Sequence, residues 1–232
     1  MSTFTNAISF FFDHLSLFAS KTVEHLELTL AAVLVSIVVS VPLGLWLGHV
    51  HRGSFVAINL SNVGRAVPSL AIIAVGIALL GLGFFPTMVA LVLLAAPIML
   101  TNAYVAVDSV DRDTVDAACG MGMIGSEVLL RVELPLALPL TFAGIRTATV
   151  YVIATATLAA VTGGGGLGEI IVNQASYGAE GVVAGAIAVA ILALGAELIL
   201  AAVQRALTPK GLRGPTGKQP AAGPPQTAVT NL

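Results

Sequence analysis

Charge is what this chain has least of. Only 9% of its 232 residues are Asp, Glu, Lys or Arg, against about 25% in an ordinary soluble domain. Hydrophobic residues make up 57%, and mean hydropathy is +0.98. No soluble core of this size hides so much apolar surface, so the solvent is expected to be a bilayer. The formal net charge of −2 leaves no basic excess and argues against nucleic acid as a partner. A single cysteine, Cys119, rules out an internal disulfide; far from any histidine, it reads as a small packing residue rather than a nucleophile. A phosphate-cradling loop is missing too. The one glycine cluster, Gly163-Gly164-Gly165-Gly166-Leu167-Gly168-Glu169, carries no lysine, so this chain holds no nucleotide by that motif. His14, His25, His49 and His51 show no metal-ligand spacing; His49 and His51, beside Arg52, read as solvated groups.

What is present is long apolar runs. Crossing about 30 Å of hydrocarbon takes around 20 residues, and five stretches qualify: 28–50, 67–85, 87–107, 142–162 and 182–203. Pro42 inside the first would kink it. Residues 8–20, ISFFFDHLSLFAS, are too short and polar to span, and their aromatic face predicts a helix lying in the membrane interface. Orientation follows from basic residues. Nine of the ten Lys and Arg fall on one side of this arrangement, and Lys21 alone precedes the first span. The amino terminus is therefore expected outside and the carboxyl terminus in the cytoplasm. Small residues along the last span (Gly185, Ala188, Ala193, Gly195, Ala196) permit close helix approach, within one subunit or between two. The division expected is an interfacial segment over 1–25, a transmembrane domain over 26–208, and a Pro/Gly-rich, disordered cytoplasmic tail over 209–232.

The most charged internal stretch lies between spans three and four, in a cytoplasmic loop over 108–141. It contains DAACGMGMIGSEVLLRVELP, residues 116–135. Asp113 or Thr114 is placed to cap a helix, with Asp116 in its first turn. Gly120 and Gly122 then weaken that helix by about 2 kcal/mol relative to alanine, a cost usually accepted where something must come close. Pro135 and Pro139 end the segment and turn the chain back toward the membrane.

The spacing in this stretch resembles that of the permease subunits of binding-protein-dependent ABC importers. Their pattern is Glu-Ala-Ala, three residues, Gly, nine residues, Ile-x-Leu-Pro. Here it reads Asp116-Ala117-Ala118, Gly122 and Val132-Glu133-Leu134-Pro135, with every interval kept and Asp and Val as the departures. Residues 66–83 and 142–168 are similar to the permeases of glycine betaine, carnitine and choline importers, and the likeness covers roughly 25–212. The resemblance implies an all-α polytopic membrane protein with five transmembrane helices in the type I importer permease (MetI-like) fold. It implies that Asp116, Ala117, Ala118, Gly122, Val132, Leu134 and Pro135 form a coupling motif for a cytoplasmic ABC ATPase. That ATPase would bind ATP and Mg, and this chain would hold no cofactor and catalyse nothing. The further partners implied are a second permease, copy or paralogue, and an external solute-binding protein. The location implied is the plasma membrane of a prokaryote. The cargo implied is a small quaternary ammonium osmoprotectant moved inward by alternating access, with methionine or another amino acid as the alternative.

Individual residues divide between bland and functional readings. Tyr104, Tyr151 and Thr155 are candidates for the translocation path, since aromatic faces attract quaternary ammonium ions. Thr147, Thr149, Thr157 and Thr162 share the fourth span, where hydroxyls also bond back to carbonyls of their own helix. Gly165, Gly166 and Glu169 are candidates for an outer gate, or belong to a simple turn. Arg146 is expected to snorkel or to pair with a loop carboxylate, and Glu197 to bond a neighbouring helix. An ion-coupled transporter is the rival reading, for which Glu197 is the one buried-carboxylate candidate; no paired acid–base or metal motif favours an enzyme.

Overall fold

The computed structural model describes residues 2–51, 59 and 67–208, and no strand occurs among them. The basic residues Arg52, Arg65, Lys210, Arg213 and Lys218, and the tail from 209, lie outside the described residues. In chain order the helices are α1 (Ser2–Asp13), α2 (Leu15–His49), α3 (Ser69–Leu80), α4 (Phe84–Asp108), α5 (Arg112–Gly120), α6 (Gly125–Val128), α7 (Leu134–Thr155), α8 (Gly168–Val172) and α9 (Gln174–Leu207). A π turn, Leu129–Glu133, joins α6 to α7, and a 3₁₀ segment, Ala156–Thr162, extends α7.

Among the described residues, four segments are long and apolar enough to cross a membrane: Leu15–His49, Phe84–Asp108, Gly125–Thr162 and Gln174–Leu207. The second expected span appears as the 12-residue α3. Its end is set by Gly81 and Gly83, at φ +85° and +122°, values that side chains with a Cβ rarely adopt. The first span starts earlier than expected. With 35 residues, α2 is about 52 Å long at 1.5 Å per residue, well beyond the hydrocarbon thickness. Residues 8–20 consequently do not make one helix: the break falls at His14, after which the chain enters α2. Helix α1 packs on α9, where Phe10 meets Tyr177 edge-on, and on the start of α2, where Phe11 lies against Phe18.

Helices α2, α4 and α9 run parallel, and α3 and α7 run against them. Two ends result: a basic end carrying His49, Asp108, α5 and Arg205, and a glycine-loop end carrying residues 163–168. The core sits between α2, α4 and α7, around Leu28, Ala32, Leu91, Leu94, Met99, Ala148 and Val152. It is narrow because small residues let backbones touch. A Cβ on Gly44 would stand 2.5 Å from the Leu100 carbonyl oxygen, and one on Gly48 2.7 Å from that of Tyr104. Gly44-x-x-x-Gly48 therefore lays α2 directly on α4, as small residues four apart do in membranes. Gly144 plays the same part for α7, where a Cβ would overlap the side chain of Asn102 on α4.

The small residues of α9 divide. Gly185 seats Ile170 and Ile171 of α8, and Ala188, Ala193 and Ala196 pack within the subunit, whereas Gly195 faces open space. Gly48→Ile is expected to separate α2 from α4 and to lower the stability of the detergent-solubilised protein by about 1–3 kcal/mol. Gly195→Ile should leave it unchanged. Equal thermal unfolding of the two variants contradicts this packing account.

Candidate functional site

At the basic end the residues expected to form a coupling motif lie together in one segment, from α5 to the start of α7. Asp111, not Asp113 or Thr114, caps α5: its Oδ1 accepts the amides of Asp113 at 2.8 Å and Thr114 at 3.2 Å. Asp113 therefore occupies the first turn and Asp116 lies beyond it. The glycines differ from expectation as well. Helix α5 stops at Gly120; the Gly122 amide bonds the Cys119 carbonyl at 2.9 Å, and the Met123 amide bonds that of Ala118 at 3.2 Å. This pair of bonds is a Schellman ending. Gly122, at φ +87°, is its left-handed residue, so glycine there favours the turn rather than weakening a helix. Sequence spacing located Gly122 correctly but assigned it the wrong local role.

Ala118 is buried against the rest of the loop, while Asp116, Ala117 and Cys119 are exposed. Just beyond them, Met121 is 73% and Ile124 65% exposed. The tip of the loop thus presents two bare apolar side chains beside small residues, outside the apolar helices. Val132, Leu134 and Pro135 are half-buried at its base. Pro135 sits in the first turn of α7 and Pro139 within it, so neither stops the chain, although each lacks the amide that would bond the preceding turn. The π turn precedes them, with the Leu134 amide reaching five residues back to Leu129.

That turn directs Glu133 inward. Its carboxylate is 1% exposed and lies 2.6 Å from Nδ1 of His49, the last residue of α2. His49 is therefore not a solvated group but the acceptor surface for the loop, and a Cβ on Gly125 would already stand 3.3 Å from its Nε2. Nearby, His51 meets Asp108 at 3.0 Å. Neither contact was foreseen from sequence, because nothing in the spacing pairs residues 84 or 57 positions apart.

The glycine-loop end brings the gate candidates together. Gly163, Gly165 and Gly166 all take positive φ. The Gly166 amide donates to Glu24 Oε2 at 2.9 Å. Lys21 bridges Glu24 at 2.9 Å and Glu169 at 2.6 Å. Beneath lies His25, fully buried, with Nε2 3.0 Å from the Ile153 carbonyl oxygen. Lys21, Glu24 and His25 were missed by sequence reasoning; the signal was a Lys-x-x-Glu-His run one helical turn before an apolar span.

The path candidates are not gathered. Tyr104 is buried near the basic end of α4 with Leu100 and Leu47. Tyr151 and Thr155 lie one turn apart toward the other end of α7, Tyr151 exposed and Thr155 buried. Thr147, Thr149, Thr157 and Thr162 each donate to a carbonyl three or four residues back, and Thr162 also bonds Thr87. Arg146, expected to snorkel or meet a loop carboxylate, instead pairs within the bundle: its Nε lies 3.1 Å from Oε1 of Glu197 on α9.

Comparison with known proteins follows the same lines. The family described as "Binding-protein-dependent transport system inner membrane component" matches residues 40–210. The glycine betaine/carnitine/choline transport system permease protein OpuCB of Bacillus subtilis is 43% identical over 84% of this chain and 90% of its own length. The carnitine transport permease protein OpuCB of Listeria monocytogenes is 40% identical over 83% and 89%. The osmoprotectant import permease protein OsmW of Salmonella typhimurium is 34% identical over 90% and 100%. Among solved structures, an inward-facing MetNI methionine ABC transporter chain superposes with a TM-score of 0.72 at 21% identity, covering 84% of this chain and 98% of that one. At that identity the likeness concerns the fold alone.

Glu133→Ala removes the buried partner of His49 and is expected to destabilise the basic end by about 1–3 kcal/mol. Arg131→Ala, which removes only an exposed partner of Glu127 at 3.7 Å, should have almost no effect. Limited proteolysis of the 108–133 segment reads the difference; equal protection in both variants overturns the pinning role of Glu133.

Proposed function

Because this chain belongs to the family of binding-protein-dependent transport system inner membrane components, as a permease subunit of an ABC importer, we propose that it moves a quaternary ammonium osmoprotectant into the cell by alternating access. Relatives named for glycine betaine, carnitine and choline transport, 40–43% identical over most of this chain, support the cargo class. The family sets aside the ion-coupled reading.

One observation carries the mechanism. The apolar tip at Met121 and Ile124 is exposed, and from Gly125 the chain runs without a break through the π turn to Thr162. A partner pushing on the tip therefore moves a membrane-crossing rod, not a slack loop. In this reading the basic end faces the cytoplasm, which leaves the amino terminus outside and the carboxyl terminus inside the plasma membrane. A nucleotide-binding partner, holding ATP and Mg, docks on Ala117, Gly120, Met121 and Ile124; the small side chains allow close approach. When two such partners close, the coupling segments of two permeases, copies or paralogues, move together. Each drives its α7, and Glu133 on His49 makes α2 follow. The glycine-loop end, held by Lys21, Glu24 and Glu169 in the present state, then parts to receive solute from the binding protein. Hydrolysis resets the pair. No step forms a covalent bond to the solute, so this subunit acts as a passage rather than an enzyme.

Gly122→Trp tests the docking. Nothing among the described residues lies within 4 Å of a Cβ there, so insertion and bundle packing are expected to survive. Solute-stimulated ATP hydrolysis of the assembled importer should fall at least tenfold, through a strained turn and a blocked surface. Undiminished stimulation contradicts docking at this loop. In a strain lacking other importers, uptake of glycine betaine, carnitine or choline is expected, whereas uptake of methionine alone contradicts the cargo assigned.

A further inference from the structure

The Arg146–Glu197 pair is unusual in its setting. Among the described residues it is the one pairing of a Lys or Arg with a carboxylate that joins two membrane-crossing segments. Charge in a membrane span is costly toward lipid and marks a pathway or a protein contact. Yet this pair is not enclosed: Arg146 is 31% and Glu197 38% exposed.

Its position shows which face it serves. Ile145, Thr149 and Ile153 of α7, with Ala196, Ile199 and Leu200 of α9, line an apolar cavity whose third wall is α2. At 100° per residue, Arg146 lies past Ile153 and Glu197 past Leu200, on the far side of the α7–α9 seam from α2. Beside the pair on that far side stand Ala143 and Val150 of α7 and Ala186, Ala190 and Ala193 of α9. The flank is therefore built mainly of small side chains, which leaves room next to the two charges.

We propose that the Arg146–Glu197 pair is a transient binding site for zwitterionic solute within the permease, Arg146 taking the carboxylate and Glu197 the quaternary ammonium. The chemistry matches on both charges. A guanidinium meets a carboxylate with a planar fork of donors, and an ammonium carrying no N–H needs only a diffuse counter-charge or an aromatic face. Filling the site exchanges one carboxylate–cation pair for two, and emptying it restores the first. At neither stage does an unpaired charge remain in the membrane, as a solute that must also leave requires. A solute with the ammonium but no carboxylate engages only Glu197 and leaves Arg146 without its partner, so the site prefers the zwitterion. This inference rests on the osmoprotectant reading above.

The test uses the complete importer, with its ATPase and binding protein, in proteoliposomes, and reads glycine betaine moved per ATP hydrolysed. The double variant Arg146→Gln with Glu197→Gln keeps a neutral side-chain pair across the seam but removes both charges. Its transport-to-hydrolysis ratio is expected to fall at least tenfold while binding-protein-stimulated hydrolysis persists. A purely structural pair gives an unchanged ratio, which overturns the proposal. Should the double variant not assemble, Arg146→Lys keeps the ion pair and removes the fork. It is expected to raise the KM for glycine betaine several-fold without altering hydrolysis, and an unchanged KM overturns the proposal. Wild-type importer that moves no glycine betaine defeats the osmoprotectant reading itself; wild-type uptake with unaffected variants defeats only the site.

Discussion

The buried contact between Glu133 and His49 fixes how the coupling segment stands on the membrane bundle. Without it, α5, α6 and the π turn are held to the bundle mainly by their backbone links to α4 and α7. With it, the segment is tied to α7 by backbone continuity and to α2 by an imidazole–carboxylate contact of 2.6 Å. Two membrane-crossing helices then share one handle. Helix α2 is in turn inseparable from α4, because Gly44 and Gly48 leave no room between their backbones. A displacement at the basic end therefore reaches the three central helices together. Close-packed interfaces of this kind shift as units and not by continuous bending.

The same helices carry the closure at the opposite end. Glu24 lies on α2, the helix that ends at His49, and it accepts the amide of Gly166. Lys21 on α2 reaches Glu169 on α8. The two ends of α2 thus hold the two segments proposed to meet partners, one in solution on each side. The exposed pairs at the glycine loop are individually weak, on the order of 1 kcal/mol or less, which suits a contact that must open in each cycle. The handle at Glu133, by contrast, is buried, and suits one that must not.

Much of this was legible in the chain. The long apolar runs marked the membrane class, the fixed intervals from Asp116 to Pro135 marked the family, and the glycine cluster marked a turn at the opposite end. What sequence did not reveal falls into two kinds. Local geometry was misread where one residue type serves two purposes: Gly122 reads as a helix breaker until its φ of +87° shows it to be the helix terminator, and Pro135 reads as a stop although it begins α7. Long-range pairing was invisible for a different reason. Arg146 with Glu197, His49 with Glu133 and Lys21 with Glu169 join residues whose separation carries no periodic signal. The Gly44-x-x-x-Gly48 spacing, however, was available and carried the α2–α4 contact.

Cys119 offers the most direct measurement of the central claim, that the segment ending at Gly122 lies in the cytoplasm under the ATPase. It is the single cysteine of the chain and is exposed on α5, so a membrane-impermeant maleimide reads its environment without any substitution. The account predicts labelling in inside-out vesicles stripped of the ATPase, protection once the ATPase is restored, and no labelling of intact cells. Labelling of intact cells, or equal labelling with and without the ATPase, would contradict it.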